Sequence, residues 1–147
     1  MDDSTVSKAA RRRKPPGSRA QRGERSREAI LDAAIRLFAE RGYDGVSLDD
    51  VTARSGAKRS LILYYYKNKD ELWRVAAEEV ARLFNTAVAA KLAELSPPDD
   101  AARIRVNIEA WLDAFQQEPA FACFLVREGG TPGARLDFLI QHFGYAR

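Results

Sequence analysis

One cysteine, Cys123, and one histidine, His142, stand in a chain of 147 residues. A lone thiol closes no internal disulfide and lacks the second thiol that a redox or zinc pair requires. With a single imidazole and no glycine-rich phosphate loop, the sequence assembles no catalytic constellation, metal-ligand set or cofactor motif, so an enzyme is not expected. Long apolar runs are missing as well. No stretch approaches the roughly 20 consecutive apolar residues of a membrane helix, and the N-terminus lacks the apolar core of a secretory signal. A cytoplasmic location is the resulting expectation. Hydrophobic residues make up 46% of the chain, enough for one moderate globular unit or a small domain with part of another.

Acidic residues are scarce where basic ones are dense. Residues 8–27 carry nine basic side chains and one acid, Glu24, and residues 54–69 carry five basic side chains and no acid, which leaves ten basic against twenty acidic residues elsewhere. The net charge of +3 therefore hides two local basic segments, an arrangement suited to meeting a polyanion along one face. The first segment contains Pro15, Pro16 and Gly17 and almost no large apolar residue. Residues 1–23 are accordingly expected to form a disordered arm, because they bury too little surface to offset their ordering entropy. Such an arm either solubilises the chain or adds affinity for a polyanion, as arginine-rich extensions do in a minor groove.

Order is expected from near Ser26, where Ile30, Ala33, Ala34, Leu37 and Phe38 fall on one helical stripe and Gly42 supplies a stop. Ser47 can cap a second helix, with Asp49 and Asp50 in its positive first turn and Val51 and Leu48 as buried residues. Ser55 and Gly56 interrupt it, and a third helix starts around Lys58. Two short helices joined by a tight glycine turn form a helix-turn-helix unit, with residues 58–66 in the groove-reading position. Three adjacent tyrosines, Tyr64, Tyr65 and Tyr66, end that helix. Consecutive helical side chains point about 100° apart, so the three cannot share one core.

The run from Arg27 to Leu72, which includes AILDAAIRLFAERGYDGVSLDDVTARSGAKRSLILYYYKNKDEL, resembles the DNA-binding domain of the tetracycline-repressor (TetR) family. The first-helix pattern ending in GY, the hydroxyl-capped second helix, the glycine turn, the aromatic cluster and the following lysine occur in the family's order. The resemblance implies an all-α fold: a three-helix, homeodomain-like DNA-binding domain over residues 24–70, then a helical effector and dimerisation domain over residues 71–147. It implies a transcriptional repressor that binds a double-stranded DNA operator as a homodimer and is released by a small-molecule effector. Carried over by position, it places Lys58, Arg59 and Ser60 at base edges and nearby phosphates. Tyr64, Tyr65, Lys69 and Ser47 fall at backbone contacts, and Tyr66 in the core. Leu63, where the family often has tyrosine, offers a thymine-methyl contact or burial instead. The expected contrast is that Tyr66→Ala unfolds the domain, whereas Tyr65→Ala leaves it folded and weakens DNA binding.

From Lys69 onward, apolar residues at three-and-four spacing predict a helix of about 25 residues, ended by Pro97 and Pro98. A further amphipathic helix carries Ile104, Ile108, Trp111, Leu112 and Phe115 on one face, Pro119 opens a shorter apolar helix, and GGTPG marks a loop before a last helical segment. Trp111, Phe115, Phe121, Phe124 and Phe138 are candidate liners of an effector pocket, and the same aromatics can equally be core. The resemblance also implies C-terminal dimerisation helices that have no counterpart here, so this half is expected to be truncated and to dimerise weakly through exposed apolar faces. An interaction protein that forms mixed dimers with a related regulator and modulates its DNA binding is the alternative function.

Overall fold

The computed structural model describes residues 18–94, 99–130 and 132–142, and seven helices are present among them. Residues 1–17, and with them most of the predicted arm, lie outside the described residues, as do Pro97 and Pro98.

Helix α1 spans Arg19–Arg41. It begins earlier than Ser26 because Ser18 and Gln21 form a capping box: the Gln21 amide donates to Ser18 Oγ at 3.3 Å and the Ser18 amide to Gln21 Oε1 at 3.0 Å. Residues 19–23, expected in the arm, are therefore helical. The predicted stripe is buried, and Gly42 ends the helix at φ 72°, a conformation that glycine adopts without a Cβ penalty.

Helix α2 (Leu48–Ser55) and helix α3 (Arg59–Tyr65) follow, separated by Gly56 in the left-handed region at φ 70°. Val51 and Ile62 are their buried residues, and Leu48 is half-buried. Helix α4 spans Lys69–Ala93, as its periodicity predicts, and is capped by Asn68, whose Oδ1 accepts from the Glu71 amide at 2.8 Å. Helices α5 (Asp100–Gln117), α6 (Pro119–Gly129) and α7 (Ala134–His142) complete the described chain. Asp99 caps α5, and Pro119 occupies the first turn of α6, where its missing N–H costs nothing.

Helix α4 packs against both α1 and α5, and α6 packs against α1 as well as α4. One hydrophobic cluster therefore runs unbroken from Ile30 and Phe38 through Trp73 and Phe84 to Phe121, Phe124 and Leu139. Each such side chain taken from water contributes about 1.5–3 kcal/mol. Rings interlock along it: Phe124 meets Phe38 edge-on at 6.5 Å and Trp73 at 6.1 Å, and Phe121 lies 3.9 Å from Phe84.

The apolar stripe of α5 is divided, with Phe115 packed on the core cluster and Trp111 against Phe84 while its other members face outward. Ala110 and Ala114 are the helix's buried residues, because small side chains let α5 lie close against α4, while Ile104, Ile108 and Leu112 are more than half exposed.

Candidate nucleic-acid interface

The turn and helix that follow Gly56 are positioned from both ends. At the start of α2, Ser47 Oγ accepts from the Asp50 amide at 3.1 Å, and Asp50 Oδ2 accepts from the Ser47 amide at 2.8 Å. The Ser47 hydroxyl and amide hold the Asp50 carboxyl below the usual carboxylate range. Its stabilising contribution is present above the ordinary carboxyl pKa and fades as pH falls through the lowered value. Replacing Ser47 with alanine is expected to cost about 1 kcal/mol, read as a lower urea midpoint at unchanged slope. A second tie joins α2 to α1: Arg54 donates to both oxygens of Glu40 at 2.7 and 2.8 Å.

With Ile62 and Tyr66 turned into the core, the opposite side of α3 presents Arg59, Ser60, Leu63 and Tyr64, continued by Lys67. Lys58 precedes the helix and makes no side-chain cap. Arg59 Nη1 reaches Asp49 Oδ1 at 2.6 Å, a pair in which both side chains remain more than half exposed. The three tyrosines separate by direction. Tyr66 is 1% exposed and its hydroxyl faces the Arg27 carbonyl at 3.4 Å, as its place in the core predicts. Tyr64 is 78% exposed. Tyr65 is half-buried between them and donates to the Gly23 carbonyl at 3.1 Å, so its hydroxyl holds α1.

At the start of α4, Lys69 Nζ lies over the Tyr43 ring, 4.1 Å from its centroid. Arg135 from α7 lies 4.2 Å from the same ring, and it also donates through Nε to the buried Glu128 at 2.8 Å. Tyr43 donates to Asp70, and burial together with that hydrogen bond pushes its pKa up to about 12. Arg127 of α6 donates to the Glu40 carbonyl near the end of α1. The helix-turn-helix is thereby joined to α6 and α7 through polar contacts as well as core. Tyr43 carries no signal of this role beyond the GY of the first-helix pattern, since its partners come from remote parts of the chain.

The basic side chains divide by partner. Arg36, Arg41, Arg54 and Arg59 are paired with carboxylates, whereas Arg19, Arg22, Lys58, Lys67 and Lys69 form no ion pair among the described residues. The unpaired set belongs to the N-terminal turns of α1 and to the two ends of α3.

The five aromatic candidates for an effector pocket fall into two ring clusters: Trp111, Phe115 and Phe121 gather on Phe84, and Phe124 and Phe138 on Trp73. Phe121 and Phe124 have almost no exposed surface and pack against neighbouring rings, so a ligand would have to displace those rings to reach them. Phe115 and Phe138 are half-buried against the hydrophobic core. Trp111 borders an open cavity of about 270 Å³ on α5, together with Asn107, Ile108 and Leu112. His142 stacks on Phe138 at 4.1 Å, a packing role. Among the described residues no group of His, Cys, Asp or Glu is arranged to hold a metal ion, and no helix is long and apolar enough to cross a membrane.

Comparison with known proteins places this geometry. Residues 30–76 match the family described as bacterial regulatory proteins, tetR family. The HTH-type transcriptional repressor NicS of Pseudomonas putida is 30% identical over 112 residues, which cover 76% of this chain and 52% of NicS. The repressor LfrR of Mycolicibacterium smegmatis is 39% identical over 90 residues, 61% of this chain and 46% of LfrR. The biofilm operon regulator IcaR of Staphylococcus epidermidis is 40% identical over 58 residues, 40% of this chain and 31% of IcaR. The chain thus spans about half or less of these relatives. Among solved structures, the hemolysin II transcriptional regulator HlyIIR superimposes with a TM-score of 0.65 at 21% identity, over 82% of this chain and 65% of HlyIIR, a likeness of fold.

Proposed function

We propose that this chain, which belongs to the tetR family through residues 30–76, is a sequence-specific DNA-binding transcriptional regulator, and that it acts as a repressor relieved by a small-molecule effector. The observation that carries the reading is the outward side of α3. An arginine and a serine open the helix, an exposed tyrosine follows, and lysines without carboxylate partners stand at both ends. Arg59 reads a base edge through its forked donors, and Lys58, Tyr64 and Lys69 meet phosphates. Lys69 reaches the backbone from a fixed place, because the Tyr43 ring supports its ammonium. NicS and LfrR are both named repressors, which favours repression here. Two copies bind a pseudopalindromic operator, one recognition helix to each half-site.

Effector control would use the contacts between the two halves. Arg127 on the end of α1 and Arg135 on the Tyr43 ring join α6 and α7 to the α1–α2 turn and to Lys69, so a ligand that shifts α6 or α7 would move the phosphate-binding lysine. Titrating labelled duplex DNA at several salt concentrations tests the reading. Affinity is expected to fall steeply with salt, with a log–log slope of roughly −0.9 for each phosphate contact. Lys69→Ala is expected to weaken binding to every sequence about equally and to make the slope shallower by about 0.9 for each bound copy.

A further inference from the structure

A second basic surface adjoins the recognition helix. Helix α1 begins well before its first buried residue, Ile30, so packing does not explain why its opening turns are ordered. Two polar contacts do: the Ser18–Gln21 capping box starts the helix, and the Tyr65 hydroxyl reaches across from α3 to the Gly23 carbonyl. Glycine suits that position because a Cβ there would stand 3.2 Å from the Tyr65 hydroxyl.

Between the two helices lies an open cavity of about 540 Å³, bordered by Arg19, Arg22 and Ser26 on one side and by Leu61, Tyr64 and Tyr65 on the other. Arg19 and Arg22 are one helical turn apart and share a side of α1. Both are exposed and neither is ion-paired among the described residues, unlike Arg36 and Arg41 further along the helix. The nearby acids point elsewhere: Glu24 and Glu28 stand about 200° and 240° around the helix from Arg22. The Ser26 hydroxyl is committed to the Arg22 carbonyl at 3.0 Å, which leaves the guanidinium groups and the Tyr64 hydroxyl as the free donors.

We propose that this groove is a DNA-backbone site, in which Arg19 and Arg22 bind phosphates that flank the base pairs read by α3 while Tyr64 closes the wall between the two contacts. The assignment rests on the DNA-binding reading above. The occupant follows from charge and continuity: the groove carries two arginines, it is open to solvent, and Tyr64 belongs both to it and to the outward side of α3. A duplex lying on α3 would bring its sugar–phosphate backbone past these arginines. Tyr65 is then a positioning residue, since its hydroxyl holds the arginine-bearing turns beside the recognition helix.

The test is the double variant Arg19→Ala/Arg22→Ala, titrated against duplex DNA across a range of salt. Alanine keeps the helix, which circular dichroism would verify. The expected result is weaker binding to all duplexes by one common factor, with a slope shallower by roughly 1.8 for each bound copy and an unchanged preferred motif. The Arg19→Lys/Arg22→Lys variant is expected to restore the slope, because charge rather than shape is what the site supplies. Unchanged affinity and slope in the alanine variant, or a changed motif, would overturn the assignment while leaving the regulator reading in place. Failure of the unaltered chain to bind any duplex would overturn both.

Discussion

Tyr66→Ala is expected to strip about 3–5 kcal/mol from the stability of the fold, the usual cost of deleting a buried aromatic side chain. The ring lies at the junction of α3 and α4, is almost fully buried, and belongs to the single cluster that runs through both halves of the chain. Ile30, Ile62 and Leu72 of the same cluster are themselves fully buried, so the deletion opens a cavity inside packed core. A loss of that size is a large part of the 5–15 kcal/mol that a typical domain possesses. Urea unfolding followed by circular dichroism would measure it. Tyr64→Ala, two residues earlier and mostly solvent-exposed, is expected to stay within about 0.5 kcal/mol of the unaltered chain. Equal effects of the two substitutions would contradict the inward and outward assignment of the tyrosines.

Arg59→Ala should leave the fold intact and remove discrimination at one base position, a loss of about 1–3 kcal/mol against the wrong base. Its pairing with Asp49 does not make it a structural residue. Both side chains are more than half exposed, and a surface pair of this kind contributes at most about 1 kcal/mol. On the proposed base-reading role the guanidinium leaves Asp49 to reach a guanine, so contact with a wrong base is opposed by an available internal partner. Competition binding with each base of a half-site altered in turn would show the effect. The expected pattern is a flattened preference at one position for Arg59→Ala and a uniform loss for Lys69→Ala. A uniform loss for Arg59→Ala would reassign the arginine to the backbone.

Much of the fold was legible because it is written in local signals. The stripe from Ile30 to Phe38, the Ser47 cap, the Gly56 turn and the 25 residues of α4 each follow from periodicity or capping within a few residues, and the structure has them there. Helical geometry required the three adjacent tyrosines to diverge, and it was the family resemblance that implied Tyr66 as the core member, which is where the structure has it. The start of α1 was less accessible: no described residue before Ile30 is buried, and its mark is the S-x-x-Q spacing of Ser18 and Gln21. The inward side of α5 was legible only in part. Periodicity marks Ile104, Ile108, Trp111, Leu112 and Phe115 as the apolar face, of which Phe115 and Trp111 meet the core, whereas close approach to α4 selects Ala110 and Ala114 for full burial. Aromatic content likewise does not distinguish a ring that lines a cavity from one that fills it, and Phe121 and Phe124 are packed among other rings. The Tyr43 platform draws Lys69 and Arg135 from well beyond any local window, and the Tyr65 hydroxyl finds its acceptor 42 residues earlier in the chain.

Selection of bound fragments from a random pool of duplex DNA tests the regulator reading most directly. The account predicts one enriched motif, present as an inverted repeat, whose strongest single position loses its preference in Arg59→Ala. Recovery of no enriched motif at any protein concentration would contradict it.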